Sequence, residues 1–153
     1  MPGSPQRKPL RWCCVAMLEE LDLLNHELAG PFWQAAAENR LAICTCTHCV
    51  KDIWYPTAEC TDCNRETSWR DLGGQARLLS WTVVERALNP HFAMTYIPAI
   101  VEPLDAPGVQ LVTWISPEFR HELVCDMVLQ VTFDVIRTVD GNEYKAPQFV
   151  PAR

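Results

Sequence analysis

Residues 46–63 read CTHCVKDIWYPTAECTDC and contain two cysteine pairs, Cys46 with Cys49 and Cys60 with Cys63. Two residues separate the cysteines of each pair, so one tight turn can direct both thiolates toward a common point. Two such turns that face each other supply four sulfur ligands in a tetrahedron, which is the geometry of a closed structural zinc site. The stretch therefore predicts a zinc ribbon in which these four cysteines hold the metal.

A four-sulfur site indicates a structural metal rather than catalysis. Four thiolates complete the coordination sphere, whereas a catalytic zinc keeps one position free for water or substrate. Zinc is the leading choice, and iron in a rubredoxin-like site is the alternative. Cys44 also carries a donor atom, but a single residue separates it from Cys46, and His48 lies inside the first turn. The spacing favours leaving both outside the ligand set.

The composition limits the classes of protein to which the chain can belong. Its 153 residues suit one compact domain or two very small ones, and 48% hydrophobic with 21% charged residues permits a packed core. The formal net charge of −6 argues against a general nucleic-acid binder, because such proteins present a basic domain or face. We therefore do not expect nucleic acid as a partner.

The sequence also bears on the compartment. It has no run of about 20 apolar residues, so no membrane-spanning helix is predicted. The start lacks the apolar stretch of a secretory signal. Among the eight cysteines, Cys13 and Cys14 are adjacent and Cys125 stands alone, which does not suit a disulfide framework. Reduced thiolates require a reducing compartment, so the predicted location is the cytoplasm.

Two helices are predicted ahead of the ribbon. Prolines punctuate residues 1–11, which predicts a flexible tail. Over residues 12–29, leucines and other apolar residues recur at intervals of three and four, the pattern of an amphipathic helix. Gly30 and Pro31 end this helix and begin a second one. Residues 12–40 would thus form a helical hairpin, whose apolar residues pack within the chain or, as we expect, bind a partner.

The predicted ribbon occupies residues 41–68. Its middle part must double back, because the ten residues between the pairs would span about 33 Å if extended, far more than a shared metal allows. Ile53, Trp54 and Tyr55 favour a strand, and Pro56 can begin the return of a small hairpin.

Residues 69–153 show the alternation of apolar and polar residues that is typical of strands. In the first strand Leu79, Trp81 and Val83 alternate with polar residues. Further strands are predicted near residues 95–102, 109–116, 127–135 and 143–150. Four or five short strands in about 80 residues indicate a small barrel of the OB type. The predicted fold is therefore mainly β with N-terminal helices: a helical hairpin, a rubredoxin-like zinc ribbon and a small OB-fold barrel.

No nucleophile with an adjacent base is recognisable, so we assign no catalytic residue. Cys125 lies in an apolar run and is predicted to be a small buried side chain. One segment between two predicted strands is a candidate loop that faces a ligand or a partner, because loops on rigid barrels often carry binding residues. Its residues are Asn89, Pro90, His91 and Phe92.

Several segments together resemble those of a known family. They are Pro31-Phe32-Trp33, Asn39-Arg40-Leu41, the two cysteine pairs, Trp54-Tyr55-Pro56, Trp69 with Gly73-Gly74, Leu78 to Val84, Asn89-Pro90-His91-Phe92 and Pro147-Gln148-Phe149-Val150-Pro151. From about residue 31 onward the chain resembles the small zinc-ribbon and OB-fold proteins that accompany acyl-CoA enzymes, a family whose older name is a domain of unknown function.

The resemblance implies a function that the residues alone do not show. Members of the family are similar to non-catalytic partners of thiolase-fold enzymes, namely thiolases, acyltransferases and aldolases that act on acyl-CoA. The chain would then be an accessory subunit in a hetero-oligomer. It would stabilise the thiolase-fold catalytic subunit, and its barrel would help to bind or channel the coenzyme A thioester. The alternatives are a single-strand nucleic-acid-binding OB module and a stand-alone acyl-CoA enzyme.

The chain departs from the family pattern in both metal-binding turns. Val50 follows the first cysteine pair, where the family usually has glycine, and Asn64 follows the second, where the family usually has glycine or proline. Asparagine tolerates the left-handed backbone conformation, whereas valine does not. The first turn is therefore expected either to be distorted or to recruit Cys44.

Overall fold

The computed structural model describes residues 22–85, 95–137 and 141–153. The elements are α1 (Gly30–Ala37), β1 (Leu41–Cys46), β2 (Asp52–Ile53), β3 (Thr67–Leu72), β4 (Gln75–Trp81), β5 (Ile97–Pro103), β6 (Leu111–Ile115), a 3-10 turn (Pro117–Phe119), β7 (Val128–Arg137) and β8 (Glu143–Pro151). Strands β2, β1 and β3 form one sheet, and β4, β5, β6, β8 and β7 close into a barrel in that order. The predicted fold class, mainly β with a ribbon before a small barrel, is confirmed.

Helix α1 is short and packs by its apolar side. Pro31 lies in its first turn, where the missing N–H removes no helical hydrogen bond. Phe32, Ala35 and Ala36 are buried, and the helix contacts β1 and β8. The chain leaves the helical conformation at Asn39, whose φ of 61° is left-handed. Within the described ranges, no helix is long and apolar enough to cross a membrane.

The first helix of the predicted hairpin, residues 12–29, is not found where the structure describes it. Its first part and the predicted tail lie outside the described ranges, and residues 22–29 form turns and a bend. The side chain of His26 accepts hydrogen bonds from the backbone N–H groups of Leu28 and Ala29, at 3.2 and 3.1 Å. Such local side-chain bonds offer the backbone an alternative to helical pairing, so the helix prediction is wrong for these residues.

Strand β1 is the centre of the ribbon and is buried along its whole length. It pairs with β2, where Cys44 lies opposite Ile53, and over all its residues with β3. The next residue after β2, Trp54, turns out of the sheet, and its ring centroid lies 5.0 Å from that of Phe32 in α1. For this reason the predicted strand of Ile53, Trp54 and Tyr55 keeps only its first residue in β2.

The predicted barrel strands are present, but β4 is irregular. Ala76 and Leu78 are fully buried, and the strand then gains an extra residue, because Leu78 pairs with Val101 whereas Ser80 pairs with the residue adjacent to Val101. This bulge reverses the alternation, so Trp81 packs against the core and Ser80 is exposed. The core-facing set that the sequence predicts, which includes Trp81 and Val83, is therefore found only after the bulge.

A single apolar cluster joins the barrel, the ribbon and the helix. Leu78, Val101 and Phe149 of the barrel are fully buried, and the same cluster contains Phe32 of α1 and Ile43 of β1. Close-packed interiors resist sliding. The ribbon is therefore held at a fixed position on the barrel.

Polar contacts fasten the same junction. Strand β3 crosses the predicted boundary at residue 69, and its Arg70 donates hydrogen bonds to both carboxylate oxygens of Asp52 in β2, at 2.9 and 2.6 Å. The same guanidinium donates to the backbone carbonyl of Asp105, on the turn after β5, at 2.6 Å. The side chain of Asp105 accepts the backbone N–H of Gly73 at 2.7 Å. Hydrogen bonds that involve charged groups thus join the ribbon to the barrel, in addition to the apolar packing.

Candidate metal centre

The first cysteine pair lies on the turn that follows β1. The carbonyl of Cys46 accepts the backbone N–H of Val50 at 3.2 Å, and the N–H of Cys46 donates to the carbonyl of Lys51 at 2.9 Å. These two bonds close the turn. The backbone N–H groups of His48 and Cys49 both donate to the Cys46 sulfur at 3.4 Å. Donors directed at sulfur favour its thiolate form.

The second cysteine pair repeats this pattern. The N–H of Asn64 donates to the carbonyl of Cys60 at 2.9 Å, and the N–H of Cys60 donates to the carbonyl of Arg65 at 2.8 Å. Between the two turns, the Lys51 ammonium lies 2.7 Å from the Asp62 carboxylate. The two turns are therefore built alike and joined by an ion pair at the surface.

The four sulfur atoms lie together between the turns. The Sγ of Cys46 is 3.4 Å from that of Cys63, and the Sγ of Cys49 is 3.6 Å from that of Cys60 and 3.9 Å from that of Cys63. All four atoms lie within 4.8 Å of one another. Zinc held by four sulfurs at about 2.3 Å places those sulfurs about 3.8 Å apart. The structure thus brings the four predicted cysteines to the spacing of a metal site.

Neither Cys44 nor His48 belongs to this cluster. Cys44 is buried in β1, and its sulfur lies 3.8 Å from the carbonyl oxygen of Thr57. Two positions along a strand separate side chains on the same face by about 7 Å. The Cys44 sulfur therefore lies outside the group of four sulfurs that are within 4.8 Å of one another.

The sulfurs differ in their tendency to ionise. The N–H of Cys49, against the opposing effect of burial, lowers the pKa of Cys46 to about 6. The N–H of Arg65 lowers the pKa of Cys63, but burial and the adjacent thiols outweigh it and raise that pKa to about 12. Thiolates this close repel one another, so ionising one sulfur opposes ionising the next. A divalent cation between them would remove this opposition, which suits the cluster to a metal ion.

The first turn is not distorted by Val50. Its φ is 58°, close to the 54° of Asn64 at the equivalent position of the second turn. The expected distortion is therefore wrong: the hydrogen bonds of the turn impose the left-handed conformation on a valine. For a residue with a side chain this conformation costs roughly 1–2 kcal/mol, and a β-branched side chain tolerates it worst.

Replacing Val50 with glycine should stabilise the protein by about 1 kcal/mol, because glycine adopts positive φ freely. Little burial is lost, since the valine is 73% exposed. Urea unfolding of the metal-loaded protein measures the change. The matched control is Asn64→Gly, for which we expect almost none. Equal effects of the two substitutions would show that Val50 is not strained.

The other residues singled out in the sequence lie elsewhere. The candidate loop, residues 89–92, falls outside the described ranges. Cys125 is exposed, contrary to prediction. Its apolar run forms a turn, in which Leu123 is buried while the Cys125 sulfur stays at the surface, 3.9 Å from the carbonyl oxygen of Leu79.

Two apolar cavities share the side chain of Trp114. The larger, of about 470 Å³, is bordered by Tyr96, Ile136 and Gln148. The smaller, of about 140 Å³, lies between α1, the residues after β2, and β6. The sequence of β6 indicates where both cavities lie. Its inward residues are buried, and its outward residues, Val112 and Trp114, are apolar as well.

Comparisons with known proteins bear on the fold. No protein-family model and no curated protein matches the chain. Among solved structures, a chain described as "Ltp2-ChsH2(DUF35) aldolase" is 22% identical with a TM-score of 0.70, over 84% of this chain and 97% of that one. A DUF35-family protein of unknown function from Sulfolobus solfataricus is 14% identical with a TM-score of 0.54, over 82% and 91%. The chain therefore has the fold of the DUF35 proteins.

Proposed function

We propose that the chain is a DUF35-family protein that serves as a non-catalytic, zinc-binding accessory subunit of a thiolase-type acyl-CoA enzyme complex. The observation that carries the proposal is the structural similarity to the chain described as "Ltp2-ChsH2(DUF35) aldolase". The alignment covers 97% of that chain with a TM-score of 0.70. The four-sulfur cluster supports it, because a closed site suits structure rather than reaction. The partner would be a thiolase-fold subunit, whether thiolase, acyltransferase or aldolase, that supplies the nucleophile and the base.

The four clustered cysteines would hold the metal. Their number and spacing favour zinc, and iron is the alternative. When bound, the metal supplies a crosslink between the two turns. The chain's own contribution is the shape of those turns, in which the N–H groups of His48 and Cys49 orient the Cys46 sulfur.

The barrel would hold the acyl portion of the coenzyme A thioester rather than its nucleotide. The larger cavity is lined by Trp114, Ile115 and Ile136, among other apolar groups. Among the described residues that line this cavity, Arg137 is the one cation, and it already forms an ion pair with Glu143. Coenzyme A carries several phosphates, and phosphate recognition relies on arginine or lysine with free donors. The nucleotide would therefore bind mainly to the partner.

The N-terminal part and the candidate loop are the proposed contact regions. Residues 12–40 would bind the partner through apolar residues other than those that α1 buries within the chain. The candidate loop, residues 89–92, would face ligand or partner, because Thr95 and Tyr96, which follow it closely, border the larger cavity. None of the described cysteines forms a disulfide, in keeping with a proposed location in the cytoplasm.

A reconstitution experiment tests this role. The chain and a thiolase-fold protein from the same genome are purified separately and together, and turnover of acyl-CoA thioesters is measured. We expect turnover by the pair and none by the isolated chain. Turnover by the chain alone would support the stand-alone enzyme instead. Salt-dependent retention of an oligonucleotide by the chain would support the nucleic-acid module.

A further inference from the structure

The smaller cavity, here called the junction cavity, lies where the three parts of the protein meet. Its walls come from α1, from the residues after β2, and from strands β6 and β8 of the barrel. Six large apolar side chains dominate its lining: Phe32, Trp33, Trp54, Tyr55, Val112 and Trp114. Aromatic residues of this kind supply much of the binding free energy at protein interfaces.

The walls of the junction cavity are held in place by ring contacts. The ring centroid of Phe32 lies 5.3 Å from that of Trp33, in an edge-to-face arrangement, and 5.0 Å from that of Trp54. Trp54 in turn lies 5.4 Å from Tyr55. Such aromatic pairs are favourable beyond the area that they bury. The cavity is therefore formed before anything enters it, which lowers the entropic cost of binding.

The rim of the junction cavity is apolar and open to solvent. Val112 is 77% exposed on the outer side of β6, and Tyr55 is 57% exposed. An exposed valine alone needs no explanation, but one beside an open aromatic cavity belongs to a contiguous apolar surface. This surface spans the joint between the ribbon and the barrel, so an occupant would contact both.

The charge of the lining identifies the kind of occupant. None of the described residues that line the junction cavity carries a charge. A coenzyme A nucleotide would find no cation there for its phosphates, and a charged side chain would lose its hydration without a partner. A volume of about 140 Å³ accommodates one large apolar side chain.

We propose that the junction cavity receives a single large apolar side chain projecting from the thiolase-fold subunit, with Val112 and Tyr55 forming the rim of that contact. The inference rests on the proposed function and adds the surface by which the subunits join. The uncharged lining requires an uncharged patch on the partner, since a charge placed opposite it would stay unpaired.

Binding of the purified partner to the full chain tests the proposal. Val112→Asp and Tyr55→Ser should each raise the dissociation constant by about tenfold or more, because the first places an unpaired charge in an apolar contact and the second removes a large aromatic side chain from it. The matched control is Val124→Asp, because Val124 is 60% exposed and lines neither cavity. We expect the control to bind as the wild type does. Zinc content and circular dichroism should be unchanged in all three variants.

The outcomes separate this inference from the proposed function. If the wild type does not bind the partner at all, the proposed function fails and the inference fails with it. If the wild type binds and Val112→Asp binds equally well, only the inference is overturned. If the free chain is a dimer that Val112→Asp dissociates, a second copy occupies the cavity, and the inference is overturned as well.

Discussion

Replacing Cys46 or Cys63 with serine should remove about one metal ion per chain and unfold the ribbon, because metal binding and folding of such a site are one equilibrium. The sulfurs of these two residues lie 3.4 Å apart, so each variant opens the site on the same side. Metal content is measured by mass spectrometry of the purified protein, and local unfolding by amide hydrogen exchange. Exchange should rise over the two turns and stay low in β5 and β8, which belong to the barrel.

Two other cysteines serve as controls for this experiment. Cys44→Ser should keep the metal, because its sulfur lies outside the cluster, although it is buried. Cys125→Ser should change neither metal content nor exchange, because Cys125 is exposed and lies outside the sulfur cluster. Unchanged metal content in both Cys46→Ser and Cys63→Ser would show that the ligand set is wrong. Metal loss in Cys44→Ser would add that residue to the set.

Replacing Arg70 with methionine should lower the free energy of unfolding by about 2 kcal/mol, because charged hydrogen bonds to a largely buried carboxylate are lost together. The variant leaves the carboxylate of Asp52, only 13% exposed, without its cation. It also frees the carbonyl of Asp105, which anchors the ribbon to the barrel. Urea unfolding of the metal-loaded protein measures the loss.

The control for this variant is Arg40→Met. Arg40 also pairs with carboxylates, those of Glu38 and Asp71, but all three side chains are about half exposed or more. Exposed ion pairs contribute little, so the loss should be much smaller than that of Arg70→Met. Similar losses in the two variants would mean that Arg70 does not fasten the junction.

The sequence is informative wherever structure depends on local spacing. The Cys-x-x-Cys spacing predicts each metal-binding turn, since the turn closes within a few residues. The alternation in residues 127–135 predicts β7, because one strand face meets one core. The same reasoning fails at β4, where the bulge after Leu78 shifts the alternation. A bulge depends on the partner strand, and its signal is absent from the strand's own residues.

Sequence patterns do not predict contacts between residues that are far apart along the chain. Trp54 lies outside the ribbon sheet and packs against the ring of Phe32 in α1. No local sequence pattern predicts this contact. The bond from Arg70 to the carbonyl of Asp105 joins residues 35 positions apart. The junction cavity depends on such contacts, since its walls come from separate parts of the chain.

Val50 shows a different limit. Intrinsic preference predicts a distorted turn, because valine resists positive φ. The matching hydrogen bonds of the two turns outweigh that preference, so Val50 and Asn64 share one conformation. Local preference is a weak guide where a network of bonds fixes the backbone.

The proposed role, a zinc-binding subunit whose chemistry belongs to a partner, is tested most directly by co-expression. The tagged chain is co-expressed with a thiolase-fold protein from the same genome, its mass is measured by size exclusion with light scattering, and the metal content of each peak is measured by mass spectrometry. We predict one hetero-oligomeric peak that contains both proteins in a fixed ratio, with about one zinc for each copy of this chain. A chain that elutes alone as a monomer, with the thiolase-fold protein in a separate peak, would contradict this role.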